Sequence, residues 1–269
     1  MTIGNVFVLS PTAHAVSLAA RRSARLVSWS RAWRAGLVSF DELVDVMTAI
    51  EEEQHVSGMP GTWSEVELRE ALPALAKLHP DEIRLVLPAP GDPRGLPGPG
   101  AFTEHALLAG EAVIASRLGL IPEARQHTSG SGDTFTTVLW HAFEFPEAPS
   151  SGYPAEVREA DEALSTALTE ATTRLVKLDV AQWRPELAGA LQALRKPDTE
   201  SELPAGYESR ARRLYARACV LDRVLTLAGQ AAPGGALNSM EMRKREDALR
   251  PLATACRTAI VAACNSPLG

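Results

Sequence analysis

A loop rich in proline and glycine carries the side chains in this sequence whose types and spacing best suit binding chemistry. It spans residues 88–103, between an alternating apolar segment that ends at Leu87 and an apolar segment that follows. Backbone amides at the start of a helix lack intrahelical partners and carry partial positive charge, so they bind anions. An arginine in the loop can pair with a carboxylate or phosphate. The pattern predicts a small anionic ligand bound by Arg94, Thr103, Glu104 and His105.

A second interpretation of the same loop stays open. Residues 88–100 contain five prolines and four glycines, which predicts irregular structure. The stretch matches neither the G-x-x-x-x-G-K-[ST] phosphate loop nor the G-x-G-x-x-G dinucleotide fingerprint. Long loops without regular structure are either functional or mobile. The loop is therefore either a ligand-binding element or a plain connector.

The histidines and serines do not fall into the spacings of known catalytic or metal sites. The six histidines show neither H-x₃-H nor H-E-x-x-H spacing. His127 and His141 lie on predicted strands, where Glu123 or Glu144 can reach them. No serine stands in a G-x-S-x-G elbow. We therefore predict no metal, no cofactor and no catalytic residue.

Charge is unevenly distributed along the chain. The net charge is −6 and the pI about 5.6, which disfavours binding to nucleic acid or to an anionic membrane. Residues 1–40 contain no acid but several arginines, and an acidic segment follows, so we expect these charges to pair within the molecule. The arginines are Arg21, Arg22, Arg25, Arg31 and Arg34. A further basic run, at residues 210–217, predicts a solvated helix face.

The three cysteines, Cys219, Cys256 and Cys264, indicate a reducing compartment. They are odd in number, and each falls on or beside an apolar helical pattern, where a free cysteine behaves as a small hydrophobe. We predict that they are buried and reduced, which favours a cytoplasmic protein. No stretch approaches the roughly 20 apolar residues of a membrane-spanning helix, so no membrane contact is predicted.

The first half of the chain predicts helices around a small sheet. Helices are expected over 12–37, after a capping box at Ser39-x-x-Glu42, after a second box at Ser64-x-x-Glu67, and over the apolar residues 106–115. Pro73 should kink or split the third of these helices. Strands are expected over 83–87, 120–127 and 134–145, the last two as a hairpin.

The second half predicts only helices. Residues 146–154 form the best boundary in the chain. Beyond them, apolar stripes predict one helix that continues past Pro185, a second from Tyr207 to Ala228 with 4-3-4-3 spacing, and a third after a box at Asn238-x-x-Glu241.

These elements predict an α+β protein that is mainly α. Residues 1–148 should form an α+β subdomain with a small antiparallel sheet of about three strands. Residues 153–269 should form an antiparallel bundle of three long helices, packed with the first part as one compact body.

The segment RLVLPAPGDPRGLPGPGAFTEHALLAGEAV, from Arg84 to Val113, resembles segments of uncharacterised proteins from high-GC actinobacteria. It covers about a ninth of the chain. The resemblance implies a bacterial source and no activity.

The functional prediction that follows is a non-catalytic cytoplasmic interaction protein. Its long helices would self-associate or bind a protein partner, because they are well patterned while no catalytic constellation is present. Two alternatives stay open: a protein that binds a small molecule or anion through the loop at 88–103, and an enzyme of unrecognised class.

Overall fold

The computed structural model describes residues 21–49, 51, 53–130, 132–150, 155–177, 203–230 and 239–269. Over these residues the chain forms seven α-helices and six strands. The helices are α1 (Arg22–Arg34), α2 (Phe40–Thr48), α3 (Leu68–Ala71), α4 (Ala101–Ala109), α5 (Val157–Lys177), α6 (Ser209–Gln230) and α7 (Ser239–Cys264). The strands are β1 (Gln54–Ser57), β2 (Val66–Glu67), β3 (Ile83–Val86), β4 (Ala112–Ala115), β5 (Leu118–Thr128) and β6 (Thr134–Glu144).

The strands form one mixed sheet, so the expectation of a small, three-stranded antiparallel sheet is wrong. The strand order is β2-β1-β6-β5-β4-β3. β1 pairs in parallel with β6, and the other pairs are antiparallel. With six strands in a sheet that spans the first half, the description of the protein as mainly helical does not hold either.

Three of these strands are not predicted by the sequence pattern. β1 and β2 have only four and two residues, too few to show a period. β4 lies within the apolar run assigned to a helix over 106–115. A short, fully buried strand cannot be told from a buried helix by periodicity. Gly110, with φ +72°, ends α4 in the left-handed conformation and lets the chain turn into β4.

Of the two capping boxes predicted for the second and third helices, one forms and the other does not. Ser39 and Glu42 form the predicted capping box: the Ser39 side chain accepts from the Glu42 amide, and the Glu42 carboxylate accepts from the Ser39 amide. The predicted box at Ser64 and Glu67 does not form, because Glu67 ends strand β2. Pro73 splits the expected helix, as predicted, into α3 and a 3₁₀ turn at Leu72–Leu75.

The two sides of the sheet are covered differently. One side packs on the helices in the main core, where Trp140 is completely buried. On the opposite side, α4 covers the β3–β4 end through a second, smaller core around Phe102, whose ring meets Phe143 and Phe145 edge-on. The rest of that side carries polar side chains and is described below.

The long helices pack side by side. α7 contacts both α5 and α6. The hydroxyl of Tyr207, just before α6, donates to the Cys264 carbonyl at the end of α7, so α6 and α7 run antiparallel. Three predictions fall outside the described residues: the start of the first helix near residue 12, the continuation past Pro185, and the cap at Asn238. In the part of the chain that the structure describes, no helix is long and apolar enough to cross a membrane.

The buried guanidinium of Arg31 joins the two halves of the chain. It donates to the Ser266 carbonyl at 2.7 Å, beyond the end of α7, to the Pro80 carbonyl in the turn before β3, and to the carbonyl of Ile83, the first residue of β3. Its side chain is 1% exposed. The Arg31 guanidinium also pairs with Asp81 at 3.1 Å, in agreement with the predicted pairing of the N-terminal arginines inside the molecule. Arg22 and Arg25 pair with Glu51.

Candidate functional site on the open side of the sheet

The proline–glycine loop is irregular, as predicted, and its ligand role stays a prediction. Arg94 is two-thirds exposed and pairs with Asp92 at 2.6 Å, and Asp92 also lies 3.7 Å from Arg257 of α7. The Thr103 hydroxyl donates to the Gly98 carbonyl. Because α4 begins at Ala101, the Glu104 amide already donates to the Gly100 carbonyl.

Glu104 is exposed, and the His105 ring lies 2.7 Å from the Ala101 carbonyl and beside Phe143. Internal partners therefore occupy Arg94, Thr103 and His105, while most residues of the loop are exposed.

A different surface brings functional side chains together. The register of β1, β2, β5 and β6 places alternate residues on the side of the sheet that α4 leaves uncovered. We call this surface the open face. It consists of His55, Ser57, Glu67, Glu123, Arg125, His127, Phe135, Thr137, Leu139 and His141.

Two adjoining hollows meet at His55 and Glu53. One, of about 250 Å³, lies over the open face. It is lined by Glu53, His55, Glu65, Arg125, His127, Phe135, Thr137, Val138 and Leu139. The other, of about 150 Å³, lies at the edge of the sheet beside α2 and α3. Glu67 and Arg69 contribute polar groups to that second hollow.

The charges around the hollows are unbalanced. Arg125 is held by Glu123 at 3.0 Å, and Arg69 by Asp41 at 3.0 Å. Glu53, Glu65 and Glu67 are exposed and take part in none of the ion pairs of the described residues. The rim of the two hollows is therefore acidic.

A line of hydrogen bonds crosses three strands of the open face. The Ser57 hydroxyl lies 3.3 Å from His141 Nδ1, and His141 Nε2 lies 2.8 Å from Glu123 Oε2. Burial of Glu123 opposes its ionisation, but the hydrogen bonds from Arg125 and His141 outweigh it and lower the pKa of that carboxyl. The carboxylate is thus ionised at neutral pH and can orient the His141 ring.

Exposed aromatic rings lie on the open face and on the loop between β1 and β2. Phe135 is 49% exposed and stacks on His127, with the ring centroids 5.1 Å apart. His127 Nε2 lies 2.8 Å from the Thr137 hydroxyl, which fixes its ring. Trp63 is fully exposed on the β1–β2 loop, two residues before Glu65. Large exposed aromatics are enriched at protein interfaces.

Only part of this site is predicted by the sequence. The contact of His141 with Glu123 is among the predicted possibilities, whereas Ser57 and His55 are not, because the sequence pattern assigns β1 to no strand. The local sequence Gln-His-Val-Ser has one usable signal, the alternation of polar and apolar residues, over too few positions to decide. Among the described residues, no group of three or more histidine, cysteine or acidic side chains is arranged to hold a metal ion.

Comparison with known proteins identifies the relatives of this chain. Sequence models of the Rv1486c-like protein match it twice, the N-terminal domain over residues 23–153 and the C-terminal domain over residues 158–261. The chain belongs to the Rv1486c-like family. The uncharacterized protein Rv1486c of Mycobacterium tuberculosis is 28% identical over 91% of this chain and 96% of its own length. The uncharacterized protein ML1804 of Mycobacterium leprae is 27% identical over 91% of this chain and 97% of its own.

These relatives agree with the actinobacterial resemblance of residues 84–113 and carry no assigned activity. The chain covers nearly the whole length of each. No solved structure matches this Rv1486c-like chain.

Proposed function

We propose that this Rv1486c-like chain is a partner-binding protein whose open face binds a positively charged, extended segment of another protein. The observation that carries the proposal is the acidic rim: Glu53, Glu65 and Glu67 surround the hollows without ion pairs among the described residues. Unpaired carboxylates attract lysine and arginine side chains and steer their approach.

The aromatic rings supply the second part of the recognition chemistry. An arginine guanidinium stacks on the face of a tryptophan or phenylalanine ring, with a contribution of about 0.5–2 kcal/mol. Phe135 offers such a face in the hollow that Glu53 and Glu65 also line. A segment that alternates basic and apolar residues would therefore meet both kinds of group.

The size of the hollows favours side chains of a protein partner over an enclosed small molecule. Pockets that bury drug-sized ligands usually measure roughly 300–1,000 Å³. The two hollows, of about 250 and 150 Å³, fall below that range and adjoin each other along the sheet. Two shallow, neighbouring hollows suit successive side chains of an extended segment.

The long helices offer less for a partner than the sequence suggested. Of the described side chains in α5, α6 and α7, Val220 is the one large apolar side chain that is exposed, at 38%. Charged residues occupy the outer positions, as in the Arg217–Asp161 pair between α6 and α5. The sheet is therefore a better candidate for the interaction surface than the helices are.

Fluorescence anisotropy with two labelled octapeptides tests the proposal. One alternates arginine with valine, and the other alternates glutamate with valine. We expect the basic peptide to bind, and the double variant Glu53→Lys/Glu65→Lys to raise its Kd at least about tenfold.

The matched control is Glu159→Lys/Glu162→Lys on the exposed side of α5, which changes the net charge equally. It should alter Kd by less than about twofold, because those residues lie away from the open face. Equal weakening in both double variants would show non-specific charge attraction. Failure of the wild-type protein to bind the basic peptide would refute the proposal.

A further inference from the structure

Ser57, His141 and Glu123 stand in the order of a nucleophile, a base and an orienting acid. They come from adjacent strands β1, β6 and β5, and their side chains lie on the open face. The contacts are 3.3 Å between Ser57 Oγ and His141 Nδ1, and 2.8 Å between His141 Nε2 and Glu123 Oε2. Such a set is recognised by geometry and roles, and sequence order does not define it.

The acid fixes the tautomer of the histidine. An ionised carboxylate can only accept hydrogen bonds, so neutral His141 must donate to Glu123 from Nε2. The lone pair then lies on Nδ1, which faces the Ser57 hydroxyl. Arg125 donates to the same Glu123 oxygen at 3.0 Å and helps to keep the carboxylate in place. His141 is therefore set to accept a proton from Ser57.

The three side chains are reachable from solvent. Ser57 is half-buried, and the side chains of His141 and Glu123 are 15% and 28% exposed. Leu139, which lines the larger hollow, lies two residues from His141 on the same face of β6. Two residues along a strand span about 7 Å, so a small group bonded at Ser57 can extend into that hollow.

We infer that Ser57 is a nucleophile for small carboxylic esters, with His141 as general base and Glu123 as a positioning residue. Ser57 Oγ bonds to the ester carbonyl carbon while its proton passes to His141 Nδ1. The carbon–alkoxy bond then breaks, and the alcohol leaves with the proton from His141. Water, activated by His141 in the same way, releases the acid and restores Ser57. This activity goes beyond the proposed partner binding and does not depend on it.

Labelling with a fluorophosphonate probe tests the nucleophile directly. We expect one covalent adduct, located at Ser57 by peptide mass spectrometry, and a slow release of nitrophenol from p-nitrophenyl acetate. Ser57→Ala should abolish the adduct, and Ser165→Ala on α5 should leave it unchanged. His141→Gln should slow labelling about 100-fold, within the usual contribution of a general base.

Two further readouts separate this role from a purely structural hydrogen-bond network. Glu123→Gln should shift the pH profile of labelling, because the orienting charge is lost, while thermal melting reports any change in folding. The variant Ser57→Cys should react with iodoacetamide below pH 8, since His141 can stabilise a thiolate. An unlabelled wild-type protein, a label on other serines, or a Ser57→Cys variant inert to iodoacetamide would each overturn the inference.

Discussion

The side-chain amide of Asn265 pairs with both backbone groups of Leu85. The Leu85 amide donates to Asn265 Oδ1 at 2.8 Å, and Asn265 Nδ2 donates to the Leu85 carbonyl at 2.9 Å. Leu85 lies in β3, the last strand of the sheet, whose outer edge would otherwise present unpaired groups. An open edge invites pairing with other chains. The end of α7 thus closes the sheet as a neighbouring strand would.

Replacement of Asn265 should therefore destabilise the sheet edge. Asn265→Ala leaves both polar groups of Leu85 without this partner, at a cost of about 2 kcal/mol in the free energy of unfolding. Asn265→Asp keeps the acceptor and should cost less than the alanine variant. Urea unfolding measures both. Arg250→Ala, on an exposed position of the same helix, should change the value by less than about 0.5 kcal/mol. Equal stability of Asn265→Ala and wild type would contradict the role of Asn265.

Arg31 should be among the most sensitive positions in the chain. Arg31→Met leaves the carbonyls of Pro80, Ile83 and Ser266 without their buried donor, and we expect a loss of about 4 kcal/mol. Arg34→Met is the matched control on the same helix. It removes a single hydrogen bond, to the Leu78 carbonyl, and should cost about 1 kcal/mol. The two values, measured by urea unfolding, should differ clearly; similar values would mean that the Arg31 contacts contribute little.

Gly119 makes room for the ring of Phe102. A Cβ at Gly119 would lie 2.5 Å from the Phe102 ring and 2.8 Å from the Phe145 ring. Gly119→Ala should therefore displace α4 and destabilise the protein by about 2 kcal/mol, a typical cost of overpacking. Gly130→Ala, where no atom lies within 4 Å of the added Cβ, is the control and should be nearly neutral. Thermal melting of both variants gives the comparison, and an unchanged Tm for Gly119→Ala would disprove the packing argument.

The cysteines should make the protein sensitive to alkali. All three are free and buried, which confirms their predicted burial. Burial raises the pKa of Cys219 and of Cys256 to about 12, and that of Cys264 well above its ordinary value. In the unfolded chain the cysteine thiols ionise near pH 9, whereas in the native protein they stay neutral at that pH. The thiols therefore make their full contribution to the free energy of unfolding below about pH 9. This contribution is lost as the pH rises toward 12, by about 1.4 kcal/mol per pH unit for each thiol.

Urea unfolding at pH 8, 9 and 10 measures this loss. Cys256→Ala removes one of the three thiols and should reduce the slope between pH 9 and pH 10 by about 1.4 kcal/mol per unit at most. A slope unaffected by that substitution would refute the assignment to the thiols. Native protein at pH 8 should also react slowly with a thiol reagent and rapidly in denaturant.

Short-range patterns in the sequence determined a definite part of this structure. Features that depend on neighbouring residues can be predicted from the sequence. They are the capping box of Ser39 and Glu42, the break at Pro73, the strand β3, and the hairpin of β5 and β6. The burial of the cysteines can be predicted too, because an apolar stripe on a helix marks the side that packs against the core.

Only the tertiary structure decided which strands pair in the sheet and which residues form the candidate site. β4 has the composition of a buried helix, and the parallel pairing of β1 with β6 joins segments far apart in the chain. Ser57 and His141, 84 residues apart, meet solely through that pairing. Periodicity reports which side of an element is buried but not which strand lies next to it, since strand pairing depends on long-range packing. The same long-range packing sets Asn265 against Leu85 and brings Ser57, His141 and Glu123 into one line.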